Sequence, residues 1–261
     1  MVRILEVVKP KTILLDVDGT CIPINFFPNI MQPYLTTKVK DYIASHIDSE
    51  IMEDVIKRLR VEYRRKLPPK LGDEFRVDVA EYNGKNGPKV LQDIFSSFMG
   101  QYEEGIKSET MVGLAWCVWL DGFKKKLITG PVFPDVPLAL ERWRRDKIQV
   151  CTVSAMMSLG QQLVFTCSTF GNLDELIEGY LCTKDIQLQK SQSGCFTTIC
   201  DRLEIQPREL LFLTDSGKEA VAAKNAGCRS ILVSRPGNLQ LPAEFTKKYD
   251  VISSFSQISF V

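Results

Sequence analysis

Histidine is almost missing from the 261-residue chain, which has His46 alone, and its eight cysteines stand singly with no C-x-x-C pair. A zinc site or a disulfide framework is hard to assemble from that inventory, and scattered free thiols suit a reducing compartment. Net charge is missing too. Lys plus Arg number 33 against 32 Asp plus Glu, so no global field would hold nucleic acid or an anionic membrane. The basic stretches at residues 57–66 and 124–126 read as solvated helix faces. No apolar run approaches the roughly 20 residues of a membrane span. The N-terminal stretch is interrupted by Glu6, Lys9 and Lys11, unlike a secretion leader.

What is present is an alternation. Short apolar, β-branched runs at residues 11–17, 148–153, 210–214, 229–233 and, more weakly, 249–252 have the look of buried parallel strands. Helix-like segments at 136–145, 159–166, 197–203 and 219–226 lie between them. Strand and helix in turn predict an α/β fold with a parallel sheet covered on both faces, and ligands at the carboxyl ends of the strands. More than a hundred residues, from about Cys21 to Gly130, separate the first strand from the second, and a connection that long must carry its own fold. Residues 38–46 and 51–66 have helical spacing, and Pro68-Pro69, Asn83-Gly84 and Gly87-Pro88 punctuate the rest. The expected organisation is a core at 1–21 and 131–261 with a helical cap at 22–130.

The chemistry gathers at strand ends. Asp16-Val17-Asp18-Gly19-Thr20 follows the first run, and a period of two points both carboxylates into one crevice. Such a pair can hold a hard cation, and magnesium suits it because that ion keeps waters and shares phosphate oxygens. The motif alone also reads as an acidic strand end turning through Gly19. Ser154 ends the second core run, Lys190 lies in a polar segment, and Asp215 ends Leu213-Thr214-Asp215. Singly, Ser154 and Asp215 could be helix N-caps and Lys190 a solvated lysine. Four such groups at one sheet edge point to a site.

These motifs resemble the haloacid-dehalogenase superfamily, with its D-x-D-x-T, strand-end Ser or Thr, Lys and strand-end acidic motif. More narrowly the chain is similar to the enolase-phosphatase (acireductone synthase) family. Pro23-Ile24-Asn25-Phe26, Trp119-Leu120-Asp121-Gly122-Phe123-Lys124, Val132-Phe133-Pro134-Asp135-Val136-Pro137, Ala139-Leu140-Glu141-Arg142-Trp143, Leu211-Phe212-Leu213-Thr214-Asp215 and Arg235-Pro236-Gly237-Asn238 carry that likeness. The resemblance implies a Rossmann-like core with an inserted helical cap, and phosphate transfer in methionine salvage. Its substrate is a small phosphorylated diketone, 2,3-diketo-5-methylthiopentyl phosphate.

It further implies that Asp16 is the nucleophile and Asp18 the acid and base. Lys190 neutralises charge, and Mg2+ is held by Asp16, Asp18 through its carbonyl, and Asp215. Ser154, Ala155 and Lys190 would meet the phosphate, and Trp119 the apolar tail, unless Trp119 is cap core. A monomer in the cytoplasm, with the nucleus as a second compartment, is expected, with no nucleic-acid or membrane partner. Three positions depart from the family. Asp18 stands where Glu is usual, Ala155-Met156-Met157 replace a Ser and a Gly after Ser154, and Gln192 replaces a Glu that could orient the lysine. A general small-molecule phosphatase and a binding protein with weakened catalysis are the alternatives.

Overall fold

The computed structural model describes residues 3–66, 68–69, 87–106 and 108–261; the Asn83-Gly84 turn signal lies outside them. The chain forms two compact units, Met1–Phe27 with Thr129–Val261, and Pro28–Ile128. The junctions read from the sequence stood at residues 21/22 and 130/131. Cys21 and Ile22 are fully buried and Phe26 nearly so, and the Cys21 carbonyl accepts from the Phe133 N–H at 2.9 Å. Residues 22–27 therefore stay with the first unit.

The strands of the first unit are β1 (Leu5–Val7), β2 (Thr12–Asp16), β3 (Gln149–Ser154), β4 (Gly179–Cys182), β5 (Leu210–Thr214), β6 (Arg229–Val233), β7 (Val251–Ile252) and β8 (Ile258–Phe260). Six of them form one parallel sheet in the order β4-β3-β2-β5-β6-β7. Every residue of β2 and β5 is buried, which is why both read as unbroken apolar runs rather than alternating ones. From β2 the chain steps outward through β3 and β4, then crosses to β5, β6 and β7 on the other side. The order reverses beside β2, and such a reversal opens a crevice at the carboxyl ends of the strands. Asp16 is registered against Val153, so the ends of β2 and β3 come out level.

Strand β4 escaped the apolar-run reading because it is a four-residue edge strand, three of whose residues are only half-buried. Strands β1 and β8 escaped it as well. Three residues each, they pair with one another in a separate two-stranded sheet. Helices of this unit cover the sheet, and one face is filled by Phe196, Ile199 and Cys200 against Leu14, Phe212 and Ala223, all at most 1% exposed. The Phe196 and Phe212 rings meet at 4.8 Å between centroids. Losing either ring would cost about 3–5 kcal/mol.

The second unit contains α1 (Gln32–His46), α2 (Glu50–Arg65), α3 (Gly87–Glu103) and α4 (Glu109–Lys124). The Ser49 and Ser108 hydroxyls cap α2 and α4, each accepting a main-chain N–H at 3.3 Å. Glu62 of α2 accepts from the Thr110 hydroxyl at 2.6 Å and so ties α2 to α4. Gly87-Pro88 opens α3 instead of breaking the chain, as proline at a helix start allows. His46 ends α1, its ring stacked on Tyr42 at 4.1 Å. Among the described residues no helix is long and apolar enough to cross a membrane.

Candidate active site

Asp16 closes β2 and is 3% exposed. The chain then turns tightly, with the Cys21 and Ile22 N–H groups donating to the Val17 carbonyl at 2.9 and 3.1 Å. The turn brings Thr20 back beneath Asp16. Its fully buried hydroxyl donates to Asp16 Oδ2 at 3.1 Å, which leaves Oδ1 to accept from Lys190 Nζ. Glycine is required at position 19, where φ is +78° and a Cβ would lie 2.2 Å from Asp215 Oδ2.

Ser154 ends β3. Its hydroxyl donates to Asp18 Oδ2 at 3.4 Å and accepts from the Met156 N–H at 3.0 Å. Asp18 Oδ1 is buried with no hydrogen-bond partner among the described residues. Burial, reinforced by the charge of Asp16, pushes the Asp18 carboxyl up to about 6, where a carboxyl can both give and take a proton near neutrality. Ala155 is exposed at the mouth of a cavity of about 640 Å3 whose wall includes Thr183, Leu188, Lys190 and Glu219.

Asp215 follows β5 directly. Burial first, then the charges of Asp16 and Glu219, raise its carboxyl above the usual range, and it lies close enough to Asp16 to share a hydrogen bond. The structure also supplies a residue that sequence reasoning missed. Glu219 accepts from the Thr214 hydroxyl at 2.8 Å and pairs with Lys190 at 3.2 Å. Its sequence signal was masked, because Ser216 and Glu219 have the S-x-x-E spacing of a helix capping box, and Ser216 does cap α5 (Gly217–Asn225), accepting from the Glu219 N–H at 3.4 Å. Burial would lower the Lys190 ammonium, but Asp16 and Glu219 outweigh it and hold the group above its ordinary value. Gln192 does not serve the lysine. Its side-chain oxygen accepts from the Gln189 N–H at 2.9 Å and closes the turn that carries Lys190.

Asp16, Asp18, Ser154, Lys190 and Asp215 are thus gathered at one sheet edge, while Trp119 belongs to the other unit. Its indole is buried, donates to the Met31 carbonyl at 2.8 Å, and meets Trp116 edge to face at 5.0 Å. Among the described residues, the four carboxyls Asp16, Asp18, Asp215 and Glu219 face one ammonium, Lys190. Among the described residues no three Asp, Glu, His or Cys side chains form a metal cage. Two carboxylates, Asp16 and Asp215, with main-chain oxygen nearby are a donor set that fits magnesium, which retains waters and takes substrate oxygens.

Residues 10–227 match the model of the haloacid dehalogenase-like hydrolases. The chain is 31% identical over 250 residues to "Enolase-phosphatase E1" of Caenorhabditis elegans, covering 95% of this chain and 96% of that one. It is 33% identical over 253 residues to the "Probable bifunctional methylthioribulose-1-phosphate dehydratase/enolase-phosphatase E1" of Sorghum bicolor, covering 95% of this chain. It spans about half of that plant relative's length, 47%. Among solved structures, the UTR4 protein of Saccharomyces cerevisiae shares the fold with a TM-score of 0.74 at 23% identity, over 94% of this chain and 98% of that one. By the family model and its relatives alike, the chain belongs to the haloacid dehalogenase-like hydrolases and, within them, to the enolase-phosphatase E1 family.

Proposed function

We propose that the chain is a magnesium-dependent phosphatase that forms an aspartyl-phosphate on Asp16, and that its substrate is 2,3-diketo-5-methylthiopentyl phosphate, converted to an acireductone. The observation that carries this reading is the division of labour between two adjacent carboxyls. Asp16 is pinned by Thr20 and Lys190 with its charge neutralised, whereas Asp18 is buried with one oxygen unpartnered and titrates at about 6. The first is placed to attack phosphorus and the second to protonate the leaving oxygen, then to deprotonate the water that releases phosphate.

Asp16, Asp215 and the Asp18 carbonyl would hold magnesium. Once bound, the ion offsets the repulsion between an anionic nucleophile and an anionic phosphate. Lys190 adds its positive charge at the same point, and the Ser154 hydroxyl with the N–H groups of Ala155 and its neighbours cradles phosphate oxygens. Trp119 enters only through the core of the helical unit. The proposed partner is the small phosphorylated diketone alone, with the chain acting as a monomer and binding neither nucleic acid nor membrane.

The enolase half of the reaction rests on the names of the relatives. Phosphate removal alone is the second reading, the one that remains if Asp18, shorter than Glu by one methylene, does not support enolisation. The deciding experiment follows phosphate release from the diketo-phosphate with and without Mg2+, watching for the enediol optically, in the parent and in Asp16→Asn. Magnesium-dependent release through an enediol, lost in the variant, is expected. Release only from simple esters would leave the phosphatase and remove the enolase, and no release from any ester would overturn both.

A further inference from the structure

The sequence Arg235-Pro236-Gly237-Asn238 encodes a tight turn. Proline presets φ at its second position, Gly237 takes φ +87° at its third, and the Asn238 N–H closes it on the Arg235 carbonyl at 3.1 Å, as in a type II turn. Two side chains of this turn reach back to the loop that follows the nucleophile. Arg235 Nε donates to the Thr20 carbonyl at 3.0 Å. Asn238 Nδ2 donates to the Gly19 carbonyl at 2.8 Å and to Asp215 Oδ2 at 3.1 Å. Both neighbours of that nitrogen are acceptors, so the amide can face them only this way round. Its oxygen, Oδ1, is buried without a partner among the described residues.

The geometry points to Asn238 as a positioning residue that fixes the rotation of the Asp215 carboxylate and so presets the magnesium site. It rests on the metal reading given above. Asp215 is pressed against Gly19 and repelled by Asp16, and the Asn238 amide is the neutral donor that engages its Oδ2. With that oxygen occupied, the carboxylate presents the other to a cation. Because the same amide holds the Gly19 carbonyl, it also locks the turn carrying Asp18 to the end of β5. The Asn238 amide contacts Asp215 and Gly19, and it acts on chemistry through them. Partners that orient metal ligands typically change metal affinity by about 10–100-fold when removed.

The test is calorimetric titration of MgCl2 into phosphate-free protein, for the parent, Asn238→Leu and Asn238→Gln. The leucine variant keeps the volume and deletes the donor. The glutamine variant keeps an amide one methylene away, and it preserves the measurement should the leucine variant fail to fold. The Kd for Mg2+ is expected to rise about 10–100-fold in the leucine variant and by a smaller factor in the glutamine variant, with kcat at saturating Mg2+ within about threefold of the parent. Mg2+ affinity within twofold of the parent, in the leucine variant or in the glutamine variant if that alone folds, would overturn the assignment. Absence of Mg2+ binding by the parent would overturn the metal reading and this assignment with it.

Discussion

Two cations are sequestered in the same unit, and their surroundings differ in kind. Arg235, its side chain 3% exposed, meets one carboxylate, Asp135, at 2.8 and 3.0 Å, together with the carbonyls of Thr20 and Ser253. The Phe133 and Phe255 rings sandwich its guanidinium at 4.7 and 4.6 Å. Asp135 in turn accepts from the Ser254 hydroxyl and the Phe255 N–H, so charge is matched there one for one. Lys190 faces Asp16 and Glu219 directly, with Asp18 and Asp215 close behind. The first arrangement is what a structural ion pair needs. The second holds surplus negative charge in a cleft, which shifts carboxyl titration and prepares a place for a cation. Chemistry resides where buried charge is left unbalanced.

The largest effect should come from the unbalanced centre. Asp16→Asn keeps the Thr20 contact and removes the nucleophile, so phosphate release should fall by roughly 10^4-fold or more while the thermal midpoint stays near the parent's. Residual turnover within tenfold of the parent would show that another group attacks phosphorus. The balanced centre should respond in stability. Arg235→Met leaves Asp135 without its cation and strips the stack from two rings, a loss of about 3–5 kcal/mol, or roughly 10 °C in midpoint for a chain of this size. Turnover per folded molecule in the cold should remain within about tenfold. A variant that melts like the parent yet is inactive would erase the distinction between the two centres.

How much of this was legible follows the same line. Asp16, Ser154 and Asp215 could be read because each terminates an apolar run, and a buried parallel strand that ends in a polar group advertises its end. Lys190 sits in a loop without periodicity, and only its order along the chain suggested it. Glu219 was hidden by the helix signal it also satisfies. Asn238 was visible only as part of a segment that carries the family likeness, and its reach to Gly19 and Asp215 spans 219 and 23 positions, a proximity that no local pattern encodes. Strands β1, β4 and β8 were too short or too exposed to leave a run. The helical insertion was legible as helix from its spacing, although only two of its four described helices were delimited.

A titration of stability would sharpen the comparison next. Asp18 is raised to about 6, and Asp215 and Glu219 are raised as well, each chiefly by burial. A carboxyl whose folded value exceeds its unfolded one holds its proton more tightly when folded. The associated stability is complete below about pH 4 and is lost as pH rises toward 6 and beyond. At about 1.4 kcal/mol per unit, discounted for the solvent that reaches the cleft, Asp18 alone accounts for about 2 kcal/mol. Metal-free protein should therefore melt higher at pH 5 than at pH 7.5, and Mg2+ should raise the midpoint more at pH 7.5. Thermal denaturation at the two pH values with and without Mg2+ measures both. Equal Mg2+ stabilisation at the two pH values would separate these carboxyls from the metal.

The smallest effect concerns which side chain steadies Lys190. In Glu219→Gln the lysine keeps Asp16 but loses its second carboxylate, so kcat/KM should fall by only about tenfold, the low end for a partner one step removed. The alkaline limb of the rate profile should also move to lower pH, because removing an opposite charge lowers the ammonium value. Gln192→Glu should change kcat/KM less than twofold, since that side chain accepts from the Gln189 N–H and a carboxylate can accept the same bond. The combination discriminates sharply. If Gln192→Glu restored activity to Glu219→Gln, the loop would orient the lysine. If the double variant matches Glu219→Gln alone, the orienting charge belongs to the helix after β5, where Thr214 holds Glu219 in place.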